Sequence, residues 1–62
     1  HLIQALNQLS NSHREVISLR FFSGLSSAEC GQILNKNAGA VREMQRIAVK
    51  ELRHALGSET GQ

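Results

Sequence analysis

Arg42, Arg46, Lys50 and Arg53 carry the clearest chemistry in this 62-residue chain. Their spacings of four, four and three put them on one side of a helix. At about 1.5 Å of rise per residue the stripe is roughly 16 Å long. Phosphates follow one another along a nucleic-acid strand at about 3.4 Å, so the stripe is long enough to track the wall of a groove. An arginine can also grip O6 and N7 of guanine with two hydrogen bonds, about 1–3 kcal/mol of discrimination between bases. The chemistry on offer is polyanion binding.

Nothing else in the chain offers catalysis. There is no phosphate-binding glycine loop, no serine–histidine–aspartate arrangement and no close pair of carboxylates. His1, His13 and His54 show no metal-ligand spacing, and the lone Cys30 excludes both an internal disulfide and a cysteine-rich zinc site. Cys30 is expected to be a small buried apolar residue. An enzyme, a metal and a cofactor are therefore not expected. No apolar run approaches the roughly 20 residues of a membrane span, so membrane insertion is not expected and a cytoplasmic protein is.

The formal charge of +2 is modest, but it is placed unevenly. Arg14 and Arg20 balance Glu15 and Glu29 in the first half. In the second half Lys36, Arg42, Arg46, Lys50 and Arg53 face only Glu43, Glu51 and Glu59, so all the excess lies beside the stripe. Forty per cent of the residues are apolar, enough for one small core and no roomy substrate pocket. Residues 1–56 read as one domain. Residues 57–62, Gly-Ser-Glu-Thr-Gly-Gln, carry no apolar side chain and read as a flexible tail.

Four helices must position the stripe, in an all-α, four-helix domain. The first is expected over residues 2–9, with Leu2, Ile3, Leu6 and Leu9 on one face. The second begins at Ser12, with Glu15 completing a capping box, and runs to Phe22. Gly24 suits the left-handed position beyond its end. The third begins at Ser26, again with a capping box to Glu29, and stops near Leu34. Asn35 takes the left-handed turn, which asparagine tolerates better than any residue but glycine. Asn37 caps the fourth helix, residues 38–56. Val41, Met44, Ala48, Leu52, Ala55 and Leu56 form its core seam. Two helices joined by the short turn Asn35-Lys36-Asn37 have the layout of a helix-turn-helix, whose second helix enters the major groove.

The ordered set Ala5-Leu6, Leu9, Arg14-Glu15-Val16, Leu19-Arg20-Phe21, Gly24-Leu25-Ser26, Glu29, Leu34, Gly39-Ala40-Val41-Arg42, Ala48 and Leu52-Arg53 resembles region 4 of bacterial sigma factors, in particular the extracytoplasmic-function group. The resemblance covers about residues 3–56. It implies recognition of the minus-35 promoter element, docking on the flap of the RNA polymerase beta subunit, and masking by an anti-sigma factor. The chain departs from the family pattern at Asn11, where proline is usual, at Cys30-Gly31, at Asn35, and at Ile47, where many relatives carry arginine. Gly31, costly inside a helix, is expected to admit close approach of the fourth helix.

From these readings the DNA-contacting set is Ser26, Ser27, Lys36, Asn37, Ala38, Gly39, Arg42, Glu43 and Arg46. Arg42 and Arg46 are expected to read bases, Glu43 to accept from a cytosine amino group or pair with a neighbouring cation, and Ala38 and Gly39 to let backbone amides approach phosphate. Lys36, Ser26 and Ser27 suit phosphates, although the serines can equally be caps only. Lys50 and Arg53 are expected to be solvated. Glu29 caps, and can also orient an arginine of the recognition helix. Leu2, Leu6, Phe21, Phe22, Leu52 and Leu56 exceed what so small a core needs, and the surplus is expected to form the polymerase or anti-sigma surface. Two other readings remain open here: a DNA-binding output domain of the NarL and LuxR kind, which would dimerise, and a protein-interaction module whose basic face is merely solvated.

Overall fold

The computed structural model describes residues Leu2–Glu59, all of whose regular elements are helical. They are α1 (Leu2–Asn7), α2 (Asn11–Ile17) continued by a π-helical turn (Ser18–Phe22), α3 (Ser27–Leu34) and α4 (Ala38–Glu59). The expected all-α architecture with its helix-turn-helix is what the chain adopts. Helix α4, 22 residues long, is the spine against which α1, α2 and α3 all pack.

Helix α1 is shorter than its apolar spacing predicts. After Asn7 the chain tightens, with Gln8 N–H donating to the Ala5 carbonyl and Leu9 N–H to that of Leu6, both at 3.1 Å. The buried face is centred on Ala5 and Leu9, while Leu2 and Ile3 point outward. Helix α2 is capped two residues earlier than expected. Ser10, not Ser12, is the cap: its backbone is extended and its Oγ accepts from His13 N–H at 3.3 Å. Val16 and Ile17 enter the core.

The second helix also does not stay α to Phe22. Ser23 N–H reaches back five residues to the Ser18 carbonyl at 3.0 Å, and Leu25 N–H reaches the Leu19 carbonyl at 3.0 Å. Gly24, at φ +73°, makes the return possible, as its position suggested. The wider turn leaves Phe21 and Phe22 exposed.

The core has two parts. Leu9, Ile17 and Ala48 are wrapped by Leu6, Val49 and Leu52. Val16, Cys30 and Val41 are wrapped by Leu19, Leu25, Leu34 and Met44. The fully buried side chains are thus small, each worth about 1.5–3 kcal/mol at most, and a domain of this size is marginally stable. Among the described residues every buried side chain is apolar. Between α2 and the second half of α4, His13 Nδ1 lies 2.8 Å from Glu51 Oε1.

Helix α4 continues through Gly57 and Ser58 to Glu59, beyond the expected end at Leu56. Residues 60–62 of the expected tail lie outside the described residues.

Candidate nucleic-acid interface

The turn between α3 and α4 is built by three polar residues and one glycine. Asn35 adopts φ 60° and ψ 47°, the left-handed conformation expected of it. The Gly31 carbonyl accepts from the N–H groups of both Asn35 and Lys36, the latter at 2.8 Å. That return bond closes α3 as a Schellman-type cap. Asn37 Oδ1 accepts from Ala40 N–H at 2.7 Å and so caps α4. Gly31 does admit a close neighbour, but it is the carbonyl of Lys36 in the turn, not helix four as its sequence position suggested.

At the other end of α3 the capping box is complete. Ser26 Oγ accepts from Glu29 N–H at 3.1 Å, and Glu29 Oε1 accepts from Ser26 N–H at 2.8 Å. The hydrogen bond from the Ser26 backbone, helped by its side chain, holds the Glu29 carboxyl below its usual value. Glu29 therefore acts as a cap; among the described residues it forms no ion pair with an arginine of α4. Leu25, just ahead of the cap, packs on the Val16–Cys30–Val41 part of the core and fixes the angle at which α3 begins.

These caps present the first turns of α4 to solvent. Lys36, Asn37, Gly39, Arg42, Glu43 and Arg46 are exposed, Ser26 is exposed, and Ser27 and Ala38 are half-buried. A β-carbon at Gly39 would touch only the Asn37 side chain, at 3.4 Å, so the start of the helix is open to approach. Glu43 and Arg46 pair with each other, with Arg46 Nε 3.3 Å from Glu43 Oε1. The bond from Arg46 lowers the Glu43 pKa, and the same bond raises that of Arg46. Arg42 has no such partner among the described residues and is the less encumbered of the two.

All four stripe cations line one open groove of about 720 Å³. Lys50 and Arg53, expected to be merely solvated, share it with Arg42 and Arg46. Ser27 reaches it from α3, and Arg20 from the π turn. No carboxylate lines it. Arg20 was not legible as a site residue, and neither was Gln45, which stands beside it: Arg20 Nε donates to Gln45 Oε1 at 2.7 Å, and Arg20 Nη1 to the Leu25 carbonyl at 2.6 Å. The pair is 25 residues apart in sequence, and no local spacing encodes it. Ile47 lies elsewhere, half-buried in a second groove with Gln8, Leu9 and His54.

The six apolar residues expected at a partner surface divide. Leu2, Phe21 and Phe22 are exposed, at 43%, 55% and 62%. Leu6 and Leu52 pack against the Leu9–Ile17–Ala48 core, and Leu56 is half-buried. Ile3 and Ile33 are also exposed, and neither was expected to be. Cys30 is fully buried. No group of three or more potential metal ligands occurs among the described residues. No helix of the described residues is long and apolar enough to cross a membrane.

A helix-turn-helix whose second helix lines a groove free of acids with cations is the arrangement of a DNA-binding domain. Residues 5–54 match the family described as sigma-70, region 4. The chain is 38% identical over 55 residues to the ECF RNA polymerase sigma factor BldN of Streptomyces coelicolor, an alignment covering 89% of this chain and 21% of that protein. The chain thus spans about a fifth of the length of that relative. No solved structure matches it significantly. The chain belongs to the sigma-70 region 4 family, and its relative is of the extracytoplasmic-function group that the residue pattern resembles. That family acts in transcription initiation and is not a family of enzymes.

Proposed function

We propose that this domain reads the minus-35 element of promoters through the first turns of α4, as part of a larger sigma factor working with RNA polymerase in the cytoplasm. The observation that carries the reading is the groove itself: five cations from two elements, no lining carboxylate, and an adjoining helix start made of small residues. Arg42 is the base reader. Arg46 joins it once Glu43 turns to a cytosine amino group or lets go. Lys36, Ser26 and Ser27 hold phosphates on the near strand, and the amides at Ala38 and Gly39 approach the backbone. Asn37 is first a cap, and its side-chain amino group remains available to DNA.

The same proposal places the polymerase beta-subunit flap on the exposed apolar surface that includes Leu2, Phe21 and Phe22, with Leu6, Leu52 and Leu56 supporting it from the core side. An anti-sigma factor would mask that surface. No observation favours the dimeric output-domain reading or the solvated-module reading over this one.

The test is selection of duplexes from a random pool by the full-length factor with polymerase core. The expected result is a short enriched element bound with an affinity that falls steeply with salt, by about 0.9 in log–log slope per phosphate neutralised. Enrichment of no sequence at this region's footprint would overturn the reading.

A further inference from the structure

Ser23 is the one hydroxyl-bearing residue of the chain with an arginine three residues ahead of it, in the run Arg20-Phe21-Phe22-Ser23. Protein kinases select substrates by charge patterns of this kind. Phe21, Phe22, Ser23 and Gly24 are all exposed, and a β-carbon at Gly24 would meet nothing within 4 Å. Ser23 closes the π turn through its backbone, whose N–H donates to the Ser18 carbonyl at 3.0 Å. Its Oγ makes no hydrogen bond among the described residues. The next serines differ: Ser26 Oγ is committed to the α3 cap, and Ser27 is half-buried.

The surroundings of Ser23 are built to hold an anion once it is attached. The Arg20 guanidinium folds back on the same turn, with Nη1 2.6 Å from the Leu25 carbonyl. Leu25 is two residues beyond Ser23, so their Cα atoms lie at most about 7 Å apart. Only two of the five guanidinium donors are engaged, by Gln45 and Leu25, both neutral acceptors. No carboxylate lines the groove that Arg20 shares with Arg42, Arg46, Lys50 and Arg53. A phosphate on Ser23 brings three strong acceptor oxygens to the donors still open, and such charge-assisted bonds are strong.

We propose that Ser23 is a phosphorylation site, and that its phosphate, paired with Arg20, switches off duplex binding by the basic groove. The switch, though not the site, rests on the promoter-reading proposal above. In the modifying step Ser23 Oγ attacks the terminal phosphorus of a nucleoside triphosphate held by a protein kinase. The Oγ–P bond forms, the bond to the bridging oxygen breaks, and a nucleoside diphosphate leaves. The hydroxyl proton passes to a base on the kinase. The product carries about −1.5 to −2 charges at pH 7. Placed on the groove wall, it offsets the cations there and repels the phosphates of an approaching duplex.

Two measurements on the full-length factor test this. Phosphopeptide mapping of the factor isolated from its own cells should place a phosphate on Ser23, and its absence at every growth phase overturns the site. For the switch, the factor with phosphoserine encoded at position 23 is compared with the unmodified one on the selected duplex, by fluorescence anisotropy at about 50–200 mM salt. The phosphorylated form should bind roughly tenfold more weakly. Its log–log salt slope should fall by about 0.9 for each cation neutralised. Ser23→Ala should bind as the unmodified factor does. Should the phosphoserine form fail to fold, Ser23→Asp, with a single charge, should lower the slope by up to about 0.9. An unmoved slope in either folded form overturns the switch. If the unmodified factor itself shows no salt-dependent duplex affinity, the promoter-reading proposal fails and the switch falls with it, while the phosphopeptide map still decides the site.

Discussion

The carbonyl oxygen of Lys36 occupies the space that a β-carbon at Gly31 would fill, and the carbonyl carbon would lie only 3.3 Å away. Two opposing effects therefore meet at position 31. Alanine is about 1 kcal/mol better than glycine inside a helix, but here it would collide with the Lys36 carbonyl, on a residue whose own N–H is tied to the Gly31 carbonyl. Overpacking typically costs about 1–3 kcal/mol, and a backbone neighbour yields less than a side chain. Gly31→Ala should thus lower stability despite its better propensity, and thermal denaturation should show it at about 4–8 °C per kcal/mol. A higher melting temperature for the variant would mean the turn can move away.

The capping box sets an acid limit on stability. Ser26→Ala should cost about 1 kcal/mol, as loss of a helix cap usually does. Glu29 and Glu43 both have folded pKa values below the ordinary 4.5. A depressed folded value means stability that is present above the unfolded pKa and lost as pH falls through the folded one. Stability should therefore hold near neutrality and decline from about pH 4.5 downward. Replacing both glutamates with glutamine should flatten that acid limb in denaturation curves taken at a series of pH values. An acid limb as steep as wild type would place its origin in other groups.

Arg42 and Glu43 should have opposite effects on DNA binding. Arg42→Ala should relax preference at one base pair by about 1–3 kcal/mol, seen as loss of discrimination in competition between selected and single-mismatch duplexes. Glu43→Gln releases Arg46 from its ion pair and removes a negative charge, so affinity for any duplex should rise and the salt slope should steepen by up to about 0.9. A uniform loss of affinity from Arg42→Ala, with discrimination intact, would make it a phosphate contact instead.

Phe21 and Phe22 are exposed where Leu52 is packed. Phe21→Asp and Phe22→Asp should leave the helical content and melting behaviour close to wild type while abolishing binding to a beta-flap fragment in calorimetry. Leu52→Asp should instead unfold the domain, since a carboxylate would enter the Leu9–Ile17–Ala48 cluster. Full flap affinity in both phenylalanine variants would move the partner surface elsewhere.

What could be foreseen from the residues was what depends on short spacing. Ser26 with Glu29, Asn35 at the turn, Asn37 at the start of α4 and Gly24 after the second helix all act within six residues of their partners, and the chain's order displays them directly. The start of α2 was ambiguous because Ser10 and Ser12 are both good caps; in the fold Ser10 takes the role. The π turn has no compositional mark, since it differs from an α turn only in which carbonyl each N–H reaches. The Arg20–Gln45 tie and the neighbour of Gly31 come from tertiary geometry, and the groove inherits both. So the stripe on α4 was visible in the order of residues, while the opposite wall of its groove was not.

Cys30 is the only cysteine, and its side chain is sealed among Val16 and Val41 at the junction of α2, α3 and α4. A thiol so placed is chemically silent while the helices stay together and reacts when they part. The protein thus carries its own clock. The rate at which a thiol-reactive dye labels the untouched native chain reports how often the helix-turn-helix comes apart, and bound duplex or polymerase should slow that clock in proportion to how tightly each holds the folded form.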